Sequence, residues 1–316
     1  MIEVVPPALA GERVDRVVSL LTGMTRSQVA ALVDAREVLV DGVAVRNRSD
    51  RVAAGETLTV PDWERGAPAA VLPEAGVAFS IVYADDSVIV VDKPAGLVVH
   101  PGAGHVGGTL VGGLLARYPD LARMAEPGAE QRPGIVHRLD KGTSGLMVVA
   151  RTPLARASLV SQLASRMAER RYQTLVWGLL DGREGLIDAP IRRAATDPTR
   201  MAIRTGGKEA RTRYRVERRF VSPLPSTLLE CRLETGRTHQ IRVHLSAIGH
   251  PVVGDARYRR QGGAWPAGLP RLAPERVWLH ATMLRFDHPV TGESQTFHSP
   301  LPLDLSVLLE NLVPGM

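Results

Sequence analysis

Two hydrophobic textures alternate along the chain. Short runs rich in β-branched and aromatic residues, SIVYA, SVIVVD, GLMVVA, YQTLVWGLL and STLLECRLE, are separated by Gly, Pro and Asp and predict strands. Helical spacing is confined to a few stretches. TLVGGLLARY is one; another begins at Thr238, read as its N-cap, carries Ile241, Leu245 and Ile248 on one face, and is stopped by Gly249 and Pro251. Strand runs interrupted by a few helices predict an α+β domain, since a doubly wound fold would alternate regularly.

The N-terminal part reads as a small helix, helix and hairpin unit. Thr25 and Gln28 have capping-box spacing ahead of AALV, which predicts a helix from about Arg26 to Asp34. VLV, Asp41-Gly42 and VAV then spell a hairpin, because Asp-Gly suits a two-residue turn with positive φ angles. From Pro61 to Gly76 the sequence PDWERGAPAAVLPEAG is rich in Pro and Ala and lacks periodicity, so it reads as a linker at a domain boundary. No repeat of fixed period occurs.

At 316 residues and 44% hydrophobic content the chain can form one large domain and a small one. A net charge of +6 and a pI near 10.0 favour a polyanionic partner, with RNA, DNA and an acidic membrane surface all open on charge alone. Neither a basic segment followed by an apolar run at the start nor a stretch of about 18 apolar residues later is present, so a cytoplasmic protein without a membrane partner is expected. Of 39 basic residues only Lys93, Lys141 and Lys208 are lysines, and a position that stays Lys in so arginine-rich a chain calls for a compact ammonium.

Cys231, the single cysteine, excludes an internal disulfide and multi-cysteine metal sites. Nine histidines include no H-E-x-x-H pair, and His239 and His244 would point to different sides of one helix, so no metal is expected. Gly102, Gly104 and Gly107 match G-x-G-x-x-G, but no second strand ending in an acid follows about 20 residues on, and no P-loop is present. No cofactor is expected.

The densest chemistry lies in GIVHRLDKGTSGLMVVA, from Gly134 to Ala150. If IVHRLD is extended, alternation places Arg138 and Asp140 on one face and Ile135, His137 and Leu139 on the other. Taken alone, this describes a turn aspartate beside a neutralising arginine as well as it describes a site.

HRLDKGTSGL resembles the catalytic motif of the RluA/RluD family of pseudouridine synthases. DKPAGLVVHPGAGHVGGTLVGGLL, ERRYQTLVWG, GGKEARTRYRV, LETGRTHQIRVHLSAIGHPVVGD and LHATMLRFDHPVTGE resemble further blocks of that family, in its order. RVDRVVSLLTGMTRSQVAALVDAREVLVDGVAV resembles an S4 RNA-binding domain, which brings the match closest to the RluD-type branch acting on large-subunit ribosomal RNA. Gly142, Thr143 and Ser144 stand where the family often has Asp and Thr after the lysine.

The resemblance implies a small S4-like α/β domain with linker at residues 12–75 and a catalytic domain with a mixed, mainly antiparallel sheet at residues 76–316. It implies a monomeric, cofactor-free isomerase that converts uridine to pseudouridine, most naturally in 23S RNA; a tRNA-directed synthase and a non-catalytic ribosome-assembly factor are the alternatives. Asp140 would act at the ribose, as a nucleophile at C1′ or a base at C2′. Arg242, in preference to Arg237, would hold it ionised. Tyr172 would stack on the flipped uracil and help remove the C5 proton, and Arg138 would fill the vacated space or hold the nucleotide. Lys141, Arg237, His239 and Gln240 would complete the substrate contacts. Arg13, Arg16, Arg26, Ser27 and Arg46, with Arg48 and Arg51 nearby, would form the RNA-binding face of the S4-like unit. A glycosidase is a poorer fit, because most need two opposed carboxylates and these motifs offer one.

Overall fold

A computed structural model describes residues 1–24, 26–61, 71–102, 107–125, 131–194, 197, 200–223, 225–258 and 276–315. The chain divides into two compact units, Met1–Ala69 and Ala70–Met316.

In the first unit, β1 (Ile2–Val4), α1 (Val14–Thr22), α2 (Arg26–Asp34), β2 (Leu39–Val40), β3 (Val43–Ala44) and β4 (Thr57–Thr59) follow one another, and the strands order as β1-β4-β2-β3. Val14, Val17 and Val18 of α1 meet Val29, Leu32 and Val33 of α2 in the unit's own core. Gly23, left-handed at φ 72°, ends α1. Asp41 and Gly42 have φ 48° and 79°, so the hairpin takes the doubly positive turn that Asp-Gly favours. Thr25 and the side chains of Arg26 and Ser27 lie outside the described residues.

The second unit runs β5 (Ser80–Ala84), β6 (Val88–Lys93), α3 (Leu110–Arg117), β7 (Ser144–Ala150), α4 (Pro153–Ala164), β8 (Glu169–Trp177), β9 (Glu184–Asp188), β10 (Ile191–Arg193), β11 (Met201–Ile203), β12 (Arg211–Ser222), β13 (Ser226–Leu233), α5 (Gln240–Ala247), β14 (Leu279–Asp287), β15 (Ser294–His298), α6 (Leu303–Glu310) and β16 (Val313–Pro314). Among the described residues a ten-stranded sheet has the order β16-β12-β13-β8-β14-β7-β6-β5, with β15 beside β14 and β9 beside β12. Its pairs are antiparallel except β14 with β7. This is the mixed, mainly antiparallel sheet expected. The all-apolar cores of β6 and β7, Val88–Val91 and Leu146–Ala150, are buried on both faces, as a central strand requires.

Three expectations change. The helix expected from Thr238 starts at Gln240, after His239 at φ 56°. The Gln240 carboxamide oxygen accepts from Thr235 Oγ1 and from the Arg237 amide, and this holds the preceding residues in a loop that a Thr238 cap would have wound up. IVHRLD does not join the sheet as a strand. Ile135 forms a lone bridge to Val149, after which His137 Nε2, in place of a backbone carbonyl, accepts the Val148 amide. The last part of the expected linker also belongs to the catalytic unit. Glu74 accepts from the Gly108 amide, and its own amide donates to Gly112, so its carboxylate sits at the start of α3 where the glycine motif would have offered an anion site. Gly104 of that motif lies outside the described residues.

The parallel junction is tight. Gly145 has φ 110°, and a Cβ there would lie 2.3 Å from the Ala281 carbonyl oxygen. Gly145→Ala should therefore destabilise the chain by at least about 2 kcal/mol, from left-handed strain and overpacking together. Urea unfolding measures it, and an unchanged midpoint would contradict the close approach.

Candidate active site

Asp140 sits at the turn that leads into β7. The Thr143 amide closes that turn on the Asp140 carbonyl, and the Gly96 amide ties the next carbonyl, of Lys141. Beneath it lies Lys93 at the end of β6, fully buried, donating to the carbonyls of Pro94 and Leu97 at 2.9 Å and of Lys141 at 3.5 Å. Three carbonyls around one nitrogen suit an ammonium and leave no room for a guanidinium, which accounts for the lysine. Burial pushes the Lys93 pKa down to about 7, against the pull of the Asp140 charge.

Arg242, in the first turn of α5, donates from NH1 to Asp140 Oδ2 at 2.9 Å. Its other edge forks onto Asp255, Nε to Oδ2 at 2.6 Å and NH2 to Oδ1 at 3.0 Å. Asp255 is wholly buried and also accepts the amides of Arg257 and Tyr258, so it is fixed before it fixes the arginine. Burial works against a charged guanidinium, but the hydrogen bonds and charges of Asp255 and Asp140 outweigh it and raise the Arg242 pKa. Arg237 turns away and donates to the Glu209 carbonyl. Of the two candidate partners, Arg242 is the one that meets Asp140.

His239 reaches the same carboxylate from the left-handed turn, with Nε2 3.9 Å from Asp140 Oδ2 and Nδ1 2.7 Å from Tyr258 Oη. Tyr258 Oη also accepts the Met201 amide; when it gives its own hydrogen to His239 Nδ1, a neutral imidazole carries its proton on Nε2, facing Asp140. Burial lowers the His239 pKa and favours that neutral ring, while Asp140 opposes it. Tyr172, central in β8 between Cys231 and Ala281, is buried, and burial raises its phenol pKa. Cys231 is a buried free thiol.

Two adjoining cavities share Arg138, Asp140, Tyr172 and Arg237. The smaller, about 50 Å³, is walled by Leu139, Tyr172, Ile241 and Leu279, and the buried Thr143 Oγ1, also in its lining, has no hydrogen-bond partner among the described residues. The larger, about 560 Å³, is lined by Arg132, Arg138, Arg166, Arg170 and Arg237 together with Glu209 and Glu234. The smaller lies beside a carboxylate held in place by a guanidinium. Arg138 is exposed between the two. Lys141 is exposed and lines neither cavity. Gln240 lines the smaller one, but both its amide hydrogens and its oxygen are engaged with Arg211, Thr212, Thr235 and Arg237, so it builds the loop.

Sequence reasoning missed Asp255, Tyr258 and Arg170. Asp255 closes the block ending HPVVGD, and an acid just after an apolar pair was the available signal. Asp255→Ala would leave a buried guanidinium half paired, so it should cost about 3–5 kcal/mol. Urea unfolding checks this, and a loss below about 1 kcal/mol would mean that Asp255 does not anchor Arg242.

Among the described residues no helix is long and apolar enough to cross a membrane, and no three His, Cys, Asp or Glu side chains are grouped to hold a metal. A family model described as RNA pseudouridylate synthase matches residues 87–247. The chain is 44% identical to the ribosomal large subunit pseudouridine synthase D of Xanthomonas campestris pv. campestris, across 98% of this chain and 91% of the relative. It is 43% identical to the uncharacterized RNA pseudouridine synthase YlyB of Bacillus subtilis, across 95% and 94%. Among solved structures, human RNA pseudouridylate synthase domain containing 1 aligns with a TM-score of 0.57 at 29% identity, over 77% of this chain and 91% of that one. With its mixed sheet and its carboxylate beside a small cavity, the chain belongs to the RNA pseudouridylate synthase family, isomerases that act on uridine in RNA.

Proposed function

We propose that the chain isomerises uridines of large-subunit ribosomal RNA, with Asp140 as the carboxylate that acts at the ribose. The observation that carries this is the pairing of Asp140 with Arg242 in the lining of the small cavity that Tyr172 also walls. The names of several relatives support the ribosomal target.

The target uridine leaves its stack at a cost of a few kcal/mol, least in a loop, and its base enters the small cavity against Tyr172. Asp140, held in position by Arg242, attacks C1′ or removes the C2′ proton. The N1–C1′ bond breaks with its electron pair going to the base, the base turns, and C5 bonds to C1′ as the Asp140 carboxylate is displaced from C1′ or, on the other route, as Asp140 returns the proton to C2′. The C5 proton is then lost, with Tyr172 assisting, and N1 regains one, so substrate and product are isomers. Arg138, exposed between the cavities, holds the displaced nucleotide or fills its place, while Arg237 and His239 line the entry.

Asp140→Asn keeps the shape and removes the charge. It should bind RNA nearly as the wild type does and form no pseudouridine, read by mass spectrometry of the treated RNA. Residual pseudouridine would overturn the assignment, and free uracil in place of a C5-glycoside would mark a glycosylase.

The first unit we read as an S4-like RNA-binding domain, with Ser27 and the arginines at 13, 16, 26 and 46 on its binding face. Arg13 already pairs with Asp15 and Arg16 with Glu12, so part of that charge is internally neutralised. Arg46 lines a cavity of about 310 Å³ with Arg51. Because each unit has its own core, deleting residues 1–69 should weaken binding to a ribosomal RNA fragment more than it alters turnover at saturating RNA. Equal binding by full-length and shortened chains would refute this.

A further inference from the structure

Beyond Tyr172 the larger cavity contains donors without a partner among the described residues. Arg170 stands two residues before Tyr172 on β8, hence on the same face and about 7 Å away. It is only 6% exposed, its Nε is buried without a hydrogen-bond partner, and no carboxylate pairs with it among the described residues. Gly236 makes room for it, since a Cβ there would fall 2.9 Å from its NH1.

His137 lines the same cavity. Its Nε2 accepts the Val148 amide, so the ring proton is on Nδ1, and Nδ1 too is buried with no partner. Burial pushes the His137 pKa down to about 3, which keeps the ring a neutral donor. His137 lies on Val148 of β7 and Arg170 pairs with Leu284 of β14, so from the parallel register of β7 and β14 the two sit at one level of the sheet.

A buried guanidinium without a counter-ion lowers stability, and folding gives no reason to keep it. An arriving anion would supply the missing charge. In the proposed reaction the base occupies the small cavity beside Asp140, which leaves these donors to another part of the substrate. What enters the larger cavity is then the backbone that carries the base, and the exposed Arg132 and Arg138 at its edge suit the same polyanion.

We propose that Arg170 Nε and His137 Nδ1 form a buried anion subsite that receives the phosphodiester next to the flipped uridine. The inference rests on the proposed reaction at Asp140, and its test separates the two. Binding is measured in the Asp140→Asn chain, where no turnover occurs, with a short stem-loop RNA whose single loop uridine the wild-type chain modifies. Its loop linkages are replaced one at a time by neutral methylphosphonates.

One linkage beside the uridine should weaken binding on the order of tenfold when neutralised, as loss of a charge-assisted contact does. Adding Arg170→Met should weaken binding of the unmodified RNA by a similar factor, lower the slope of log affinity against log salt by about 0.7, and abolish sensitivity at that linkage. Arg170→Lys should keep part of both effects. The proposal falls if no linkage beside the uridine is sensitive, a result that needs no Arg170 variant to fold. It falls equally if Arg170→Met binds as tightly as its parent or stays sensitive at the same linkage. Failure of the underlying reading would appear differently, as a wild-type chain that makes no pseudouridine in any RNA.

Discussion

Arg242 stands between two carboxylates, and the geometry of the site depends on that arrangement. A guanidinium facing Asp140 alone would be free to swing, fork or leave. Asp255 takes one edge of the plane with both oxygens and thereby aims the remaining NH1 at Asp140 Oδ2. Desolvating the arginine is costly, and two carboxylates offset that cost where one would not. Two negative charges against one positive charge leave the cluster net negative, and Asp140, at its solvent-facing edge, carries the unmatched share. A carboxylate that must act on a sugar carbon needs this condition: ionised, fixed, and not fully neutralised.

The backbone beneath Asp140 is restrained as firmly as its side chain. Thr143 closes the turn, Gly96 and Lys93 hold the Lys141 carbonyl, and Gly145 lets β7 press against β14 immediately after it. These residues come from three separate stretches of sequence, and only the placing of β6, β7 and β14 side by side brings them together. The sheet is thus the device that converts distant motifs into one rigid turn, which matters because misplacing a reacting group by about 1 Å costs on the order of a hundredfold in rate.

Local signals in the sequence translated into structure where the physics was local. Asp41-Gly42 required positive φ at both positions and obtained it, the strand runs became strands, and Arg26 to Asp34 became a helix. Where a side chain competes with the backbone, the reading slipped: the Gln240 carboxamide delayed α5, and His137 replaced a ladder contact. Asp140 and Tyr172 were singled out through motifs and Arg242 was preferred to Arg237 on sequence, but the reason Arg237 is not the partner, its bond to the Glu209 carbonyl 28 residues earlier, is visible only in the fold. Asp255 had a weak local signal, an acid after an apolar pair, and Arg170 had none, because what distinguishes both is burial, a property of the assembled sheet. Lys93 lay between these cases, marked by its rarity yet unexplained until three carbonyls surrounded it.

The unfavourable local choices gather around this cleft. His239 holds a left-handed backbone that costs a non-glycine residue about 1–2 kcal/mol, and it gains by that a ring fixed between Tyr258 and Asp140. Arg170 Nε and His137 Nδ1 are buried and unmet among the described residues, as are His100 Nδ1 and the Thr143 hydroxyl in the same lining. None of these helps the chain fold, and outside the cleft only Ser226 Oγ is in the same state among the described residues. Strain and unmet hydrogen bonding concentrated in one place, on a scaffold stable enough to carry them, is what is expected where a surface is complementary to something other than itself. An RNA nucleotide brings a flat base, a sugar and an anionic backbone, and the carboxylate and the unmet donors line the two adjoining cavities that would take them.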